Sequence, residues 1–216
     1  MTAPASDNLV DLPLAKAIAY ASLGWHVLPI RPNDKRPLID EWQKRASRDP
    51  AIIRDWWQRW PRAGIGVHCG LSGLAVIDVD PRNGGAESLE ALELDKGPLW
   101  EQEPCEAHTG GGGRHYVFTA PDALQLPAKL APGVDLLSGD RYFIVEPSVH
   151  PLSGRPYRWT RGANPLNKKT LPPLPNEWHS GARRAIEATV DADPLATLAP
   201  QPLADTRENR LRVRRA

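Results

Sequence analysis

Apolar and polar residues recur with two different periods along the chain, and these periods predict its helices and strands. Helical spacing of apolar residues predicts helices over residues 12–23 and 49–60, the second with an aspartate cap and a proline in its first turn. A short helix is predicted over 86–93 and a closing helix over 175–190. Segments with the pattern of strands lie between these helices.

Short apolar runs bounded by turn-forming residues predict the strands. These runs occupy 25–30, 64–70, 73–80 and 157–160, with two strands each within 103–121 and 132–151. Because only a short turn separates 64–70 from 73–80, these two strands are expected to pair as a hairpin. A glycine loop divides 103–121, and a turn at Ser138–Asp140 divides 132–151. The mixture of elements predicts an α/β or α+β domain.

The chain has 216 residues, which is long enough for one domain with its own core and a tail. We expect a flexible N-terminus over 1–11, a folded domain over 12–190, and a linker with an arginine-rich tail over 191–216. The formal net charge is only +1. Nucleic acid would therefore have to bind at a local basic patch, because the whole molecule has no positive field.

Cysteine content and hydropathy restrict the class of protein further. Only two cysteines are present, Cys69 and Cys105, so neither a disulfide scaffold nor a four-cysteine zinc site is predicted. The first residues have no signal-peptide pattern, and no apolar run is long enough to span a bilayer. We therefore expect a cytoplasmic protein without a membrane partner.

Two acidic residues, Asp78 and Asp80, end the apolar strand in the stretch "LAVIDVDP". Side chains two residues apart on a strand share a face, at a separation of roughly 6–7 Å along the strand. Two such carboxylates need a proton or a cation between them, and oxygen ligands suit Mg²⁺ or Mn²⁺. Alternatively, the strand simply ends here and Asp80 caps a turn before Pro81.

Two further features could complete a site for a phosphate-bearing ligand. Gly110–Gly113 could bring backbone N–H groups close to phosphate oxygens, and His115 could donate a charge-assisted hydrogen bond to them. The alternative is a hairpin turn followed by a surface histidine. Asp135 supplies a third acid within a predicted strand, either as a ligand or as a solvated side chain.

The order of these segments resembles the N-terminal domain of the bifunctional primase/polymerase family, within the archaeo-eukaryotic primase superfamily. The resemblance covers about residues 14–160 and rests on "AIAYASLGWHVLPIRPNDKRPL", "GLAVIDVDPRNGG", "HTGGGGRHYVF" and "GVDLLSGDRYFIVEPS". It implies an α+β fold with a central mixed or antiparallel sheet flanked by helices. The catalytic half of that sheet is expected to be similar to an RRM domain.

The resemblance also implies roles for individual residues. Asp78, Asp80 and Asp135 match the three acids that bind two Mg²⁺ or Mn²⁺ ions and carry catalysis. His115, with Gly113 before it, matches the histidine that contacts the triphosphate of the incoming NTP or dNTP. Catalysis of this kind needs no protein nucleophile, in agreement with the absence of a Ser–His–Asp or Cys–His signature.

Further binding residues are expected around this centre. Lys35 and Ser148 match a basic residue and a strand-end serine of the family, although a solvated lysine and a turn-forming serine are the simpler interpretations. The backbone of Gly112 and Gly113 is expected to hold phosphates. Basic candidates for nucleotide or template contacts are Lys35, Arg36, Arg82, Arg114 and Arg141. The family often has an arginine where this chain has Leu137.

The resemblance implies a DNA primase/polymerase that performs template-dependent nucleotidyl transfer in the replication of phage, plasmid or similar DNA. Single-stranded or primed DNA and nucleotides are the expected partners, with a helicase domain or protein as a further candidate. One alternative is an accessory module that binds nucleotide or DNA without polymerising. Another is a metal-dependent phosphodiesterase that uses the same carboxylates.

Overall fold

The computed structural model describes residues 7–121, 126–168 and 170–179. Its α-helices are α1 (Asp7–Ser22), α2 (Trp42–Arg45), α3 (Pro50–Arg59) and α4 (Gly85–Lys96), and two 3₁₀ helices cover Pro81–Asn83 and Leu99–Gln102. The strands are β1 (Val27–Ile30), β2 (Gly64–His68), β3 (Leu74–Val79), β4 (Cys105–His108), β5 (Arg114–Thr119), β6 (Lys129–Ala131), β7 (Val134–Leu137), β8 (Tyr142–Val145) and β9 (Arg158–Trp159). None of the helices among the described residues has the length and apolar character needed to cross a membrane.

Helices α1, α3 and α4 correspond to predicted helices, although α4 is longer than the predicted 86–93, and the short helix α2 is not predicted by the sequence pattern. Helix α3 begins at Pro50, and the carboxylate of Asp49 caps it by accepting a 2.8 Å hydrogen bond from the Ala51 N–H. Helix α1 begins at Asp7, five residues before the predicted start and inside the segment expected to be flexible. It ends at Ser22, and Gly24, whose positive φ of 89° suits glycine, lies in the turn that stops it.

The strands form two antiparallel sheets. One sheet has the order β1-β2-β8, and the other has the order β6-β7-β3-β5-β4-β9. Strands β4 and β5 pair across the glycine loop, as in the hairpin alternative, but His115 is buried rather than on the surface. The predicted α+β class is confirmed, with the strands divided between the two sheets.

The predicted hairpin between the second and third strands is wrong. Strand β2 pairs with β1 and β8, whereas β3 pairs with β5 and β7 in the other sheet. The intervening turn at Cys69–Gly73 carries the chain from one sheet to the other. Gly70 packs so closely against the turn at Gly139 that a Cβ at Gly70 would lie 2.8 Å from the Gly139 carbonyl oxygen. The two turns therefore hold the sheets together at this point.

Alternation along β3 places its side chains in two separate cores. Leu74 and Val76 belong to the core shared with the three-stranded sheet, helix α1 and helix α3. Ala75, Ile77 and Val79 belong to a second core on the opposite face. Because Asp78 has the parity of Leu74 and Val76, it projects from the face that looks toward the three-stranded sheet.

Some predictions concern residues outside the described ranges. The closing helix is described only at residues 176–179, where Trp178 is fully buried in the second core, and 180–190 lie outside the described residues. The expected linker and arginine-rich tail over 191–216, and the first six residues of the N-terminal segment, also lie outside them.

Candidate active site

Strand register places an acid, an acid and a histidine side by side across three strands. Asp78 of β3 lies directly opposite Asp135 of β7 on one side and directly opposite His115 of β5 on the other. Directly paired residues in antiparallel strands point to the same face, with Cβ atoms about 4.5–5.5 Å apart. We call this arrangement the carboxylate–histidine row. It brings together three of the residues that the sequence singled out.

The central member of the row, Asp78, sits between opposing electrostatic effects. Burial raises the pKa of its carboxyl, but His115 and Lys35 lower that pKa by more, so the net pKa lies below its ordinary value. The Nε2 atom of His115 lies 3.4 Å from the Asp78 Oδ1 atom. Asp78 is therefore an ionised carboxylate that is two-thirds shielded from solvent at neutral pH.

Asp80 has a different environment, because its oxygens are fully occupied by hydrogen bonds. Its Oδ1 atom accepts from the backbone N–H and Nε of Arg82, at 3.1 and 3.0 Å. Its Oδ2 atom accepts from Nη2 of Arg82 at 3.0 Å and from Nδ2 of Asn83 at 2.9 Å. The Arg82 hydrogen bond holds the pKa of the Asp80 carboxyl below its usual range. In this structure the Asp80 side chain therefore caps the turn Pro81–Asn83, which is the alternative role that the sequence indicated for it.

His115 is packed into the protein with only 5% of the residue exposed. Its ring lies edge-on to Phe143, at 5.7 Å between centroids, and 6.0 Å from the ring of Tyr157. Among the described residues, its Nδ1 atom has no hydrogen-bond partner. These contacts fix the ring so that Nε2 points to Asp78.

The glycine loop between β4 and β5 serves two purposes. The N–H groups of Gly112 and Gly113 donate to the carbonyl oxygen and hydroxyl of Thr109, both at 3.0 Å, and thereby close the turn. At Gly113 a Cβ would overlap the carbonyl oxygen of Val79, so only glycine lets the loop approach the end of β3. Gly111 and Gly113 line the cleft described next, whereas the exposed Gly112 does not.

A cleft of about 40 Å³ opens at the end of β3 beside the row. Its walls include Lys35, Asp78, Asp80, Arg82, His115, His150 and Tyr157. The hydroxyl of Tyr142 donates a 2.7 Å hydrogen bond to the Lys35 carbonyl oxygen and thereby holds this loop. The cleft therefore collects side chains from four separate parts of the chain.

Sequence reasoning did not single out His150 and Tyr157. Both follow β8, and His150 packs so closely on Gly111 that its Nε2 atom would lie 3.1 Å from a Cβ there. Burial, then Lys35 and Arg82, lower the pKa of His150, whereas burial and Asp78 raise the pKa of Tyr157 to about 12. The run of glycines was the one sequence signal for this contact, because it indicates a place where another part of the chain packs closely, as His150 does against Gly111.

Besides Gly112, four of the predicted binding residues lie apart from the cleft lining. Arg114 shares a face of β5 with Tyr116, contacts its hydroxyl at 3.2 Å, and lies 3.5 Å from Glu106. Ser148 is buried and exchanges hydrogen bonds with the backbone of Ile65. Arg141 is exposed on the turn before β8, and Arg36 pairs with Asp34.

The donor atoms for a divalent cation are present, but they are held apart. Among the described residues, no group of three or more His, Cys, Asp or Glu side chains lies close enough together to hold a metal ion. Asp80 is turned toward Arg82, and Asp135 lies 3.7 Å from Nζ of Lys129. Carboxylate oxygens are the donors that Mg²⁺ and Mn²⁺ prefer, so the chemistry of the three acids fits such an ion, although their side chains are not gathered around one point.

The fold and the cleft define an α+β domain with acids, a histidine and a glycine turn gathered at one sheet end. The family model Prim-Pol, described as "Bifunctional DNA primase/polymerase, N-terminal", matches residues 17–178. This match covers well over half of the chain, and the chain therefore belongs to that family. No curated protein sequence matches the chain. The resemblance inferred from the motifs is confirmed.

Proposed function

We propose that this protein catalyses template-dependent nucleotidyl transfer as a DNA primase/polymerase. The observation that carries the proposal is the carboxylate–histidine row, in which Asp135, Asp78 and His115 stand side by side on β7, β3 and β5. Family membership supports it, because the family description names primase and polymerase activity. Transfer of this kind depends on positioning and charge neutralisation, which a row of fixed side chains can supply.

Asp78, Asp80 and Asp135 would hold two Mg²⁺ or Mn²⁺ ions. When bound, such ions lower the pKa of the attacking hydroxyl and neutralise the triphosphate. The protein's own contribution is to keep Asp78 ionised, which the neighbouring His115 and Lys35 do by lowering its pKa against the effect of burial. The dependence of the family on divalent metal ions supports this assignment.

His115 and Lys35 would hold the triphosphate of the incoming NTP or dNTP. His115 is oriented by its contacts with Phe143 and Tyr157, so that its Nε2 atom faces the cleft beside Asp78. Lys35 lies in an exposed loop at the cleft and provides a positive charge that a phosphate can approach from solvent. The backbone of Gly113 closes the same side of the cleft.

Template DNA would pass the cleft on its basic side. Lys35 and Arg82 line the cleft, and Arg36 is next to Lys35 in the same exposed loop. We assign residues 12–190 to the catalytic domain and 191–216 to a linker and tail. The setting would be cytoplasmic replication of phage, plasmid or similar DNA, with a helicase domain or protein as a partner.

A primer-extension assay tests this proposal. The protein is incubated with labelled dNTPs or NTPs, Mn²⁺ or Mg²⁺, and primed or unprimed single-stranded DNA. Asp78→Asn and Asp135→Asn should each reduce incorporation roughly a hundredfold or more, because each removes a metal-binding charge. Asp140→Asn is the matched control, since Asp140 is an exposed aspartate five residues after Asp135 whose carboxylate lies 3.7 Å from His68 Nε2, away from the cleft lining. Full incorporation by the Asp78→Asn variant would contradict the metal site.

One observation favours a second function, that of an accessory module that binds nucleotide or DNA without polymerising. Both oxygens of Asp80 are occupied by Arg82 and Asn83, as expected if the carboxylate no longer binds metal. The same assay separates the two functions, because the accessory module would bind nucleotide without incorporating it. Shortening of the input DNA would instead indicate a metal-dependent phosphodiesterase.

A further inference from the structure

Arg82 makes an extensive contact with one acid of the cleft. Its guanidinium binds both oxygens of Asp80, through Nε at 3.0 Å and Nη2 at 3.0 Å. Its charge also acts on Asp78 and Tyr157. Arg82 therefore supplies the positive charge beside Asp80, whereas His115 and Lys35 are the groups that lower the pKa of Asp78.

We propose that Arg82 is a displaceable counter-ion, which holds Asp80 until a divalent cation takes its place and then binds the triphosphate. This inference rests on the proposed function, because it assumes that Asp80 is a metal ligand. It goes beyond that function because it assigns Arg82 two successive partners, first Asp80 and then the triphosphate. Arg82 is a positioning residue in the first state and a nucleotide ligand in the second.

The guanidinium can leave Asp80 without unfolding the turn that carries it. The 3₁₀ turn Pro81–Asn83 is capped through the backbone N–H of Arg82, which donates to Asp80 Oδ1 at 3.1 Å. The Arg82 side chain is 52% exposed, so solvent can reach the ion pair and screen it. The Arg82 side chain can therefore exchange Asp80 for another partner at a small cost in free energy.

A released guanidinium would find a phosphate in the same cleft. Arg82 lines the cleft together with Lys35, His115 and His150, whose side chains carry N–H groups that can donate hydrogen bonds to phosphate oxygens. The planar guanidinium matches phosphate oxygens with two parallel hydrogen bonds, as it does the carboxylate of Asp80. Release of Arg82 by the cation would therefore couple metal binding to nucleotide binding.

Manganese titration without nucleotide tests the first step. Electron paramagnetic resonance of free Mn²⁺ would be followed with wild type, Arg82→Ala, Asp78→Asn and Arg59→Ala. Loss of a competing ion pair should make Arg82→Ala bind Mn²⁺ about three- to tenfold more tightly. A merely structural role for Arg82 would not raise metal affinity. Arg59→Ala is the matched control, because Arg59 binds Asp55 through Nε and Nη2 on helix α3 and should leave the affinity unchanged.

The second step is tested with a non-hydrolysable dATP analogue at saturating Mn²⁺. Arg82→Ala should bind the analogue about fivefold or more weakly, in contrast to its tighter binding of Mn²⁺. Arg82→Lys keeps the charge but loses the two-point contact, and it should be intermediate in both titrations. This variant also preserves the test if Arg82→Ala does not fold.

Two outcomes would overturn the inference in distinguishable ways. If wild type binds Mn²⁺ and Asp78→Asn abolishes that binding, but Arg82→Ala binds Mn²⁺ no more tightly, the counter-ion role is wrong and the proposed function stands. If neither wild type nor Arg82→Ala binds Mn²⁺, the metal site of the proposed function fails, and the inference fails with it. An equal rise in Arg59→Ala would show a general charge effect and would also overturn the inference.

Discussion

At the scale of single residues, burial and charge set the protonation states of the cleft. Asp78 and Asp80 have lowered pKa values, and burial together with Asp78 raises that of Tyr157 to about 12. At neutral pH the cleft therefore holds two carboxylates and a neutral phenol. Lys35 and Arg82 line the same cleft and carry two positive charges. These charges offset the two negative charges of Asp78 and Asp80 in the absence of a ligand.

The same physics predicts unreactive cysteines. Cys69 and Cys105 are fully buried, and burial raises the pKa values of their thiols to about 12 and about 11. Since the thiolate is the nucleophile, both side chains should resist 5,5′-dithiobis(2-nitrobenzoic acid) in the native protein at pH 8. Two thiols should react once guanidinium chloride unfolds the chain. Rapid labelling of the native protein at pH 8 would contradict the burial of these residues.

At the scale of elements, local patterns predict helices α1, α3 and α4 and most of the strands, but not which strands pair over long distances. Strands β2 and β3 are buried on both faces, so neither has an alternation that shows which sheet it joins. The position of Asp78 at the end of a strand could be predicted from the sequence. Its register with Asp135 and His115 could not, because that register depends on β3 pairing with both β5 and β7.

The residues missed by sequence reasoning have the same physical origin. His150 and Tyr157 reach the cleft because the segment after β8 folds back over the glycine loop, where His150 accepts the N–H of Ser153 and the Ser153 hydroxyl donates to Gly110. The spacing of apolar and polar residues cannot predict this contact, because it joins segments that are far apart in the sequence. The sequence shows the positive charge of Arg82 and so predicts a contact with template DNA. The hydrogen bonds of Arg82 to Asp80 cannot be predicted in this way, because they depend on the geometry of the turn between the two residues.

Alanine substitutions at the neighbouring Gly112 and Gly113 should change the free energy of unfolding by different amounts. Gly113→Ala should lower the free energy of unfolding by about 3 kcal/mol, because its Cβ would overlap the Val79 carbonyl oxygen. Gly112→Ala meets no neighbour within 4 Å and carries only the strain of a φ of 92°, which corresponds to about 1 kcal/mol. Urea unfolding followed by tryptophan fluorescence measures both. Equal effects of the two substitutions would contradict the close approach of the loop to β3.

At the scale of the whole molecule, the six-stranded sheet separates two cores, and the site lies at the edge of one of them. Asp78 and His115 project toward the core that joins both sheets. In that core the Tyr20 hydroxyl accepts a 2.7 Å hydrogen bond from Trp159 Nε1 and donates to the Glu146 carbonyl oxygen at 3.0 Å. Helix α1 is thus tied to strands of both sheets beneath the site.

The second core predicts where the chain can be shortened. Trp178 is 2% exposed and packs in the core with Phe118 and Leu136. A chain ending at residue 190 should therefore keep a cooperative unfolding transition and its nucleotide incorporation. A chain ending at residue 174 should lose about 3–5 kcal/mol of stability, the usual cost of deleting a buried tryptophan side chain. Loss of incorporation in the longer chain would show that 191–216 belong to the catalytic domain.

Manganese anomalous scattering tests the assignment of the acids most directly. The protein would be crystallised with Mn²⁺ and a non-hydrolysable dNTP, and an anomalous difference map would be calculated. We predict Mn²⁺ peaks about 2.0–2.2 Å from carboxylate oxygens of Asp78, Asp80 and Asp135, with the guanidinium of Arg82 turned away from Asp80 toward the phosphates. A bound nucleotide without Mn²⁺ at these three aspartates, or Mn²⁺ held only by other residues, would contradict the site.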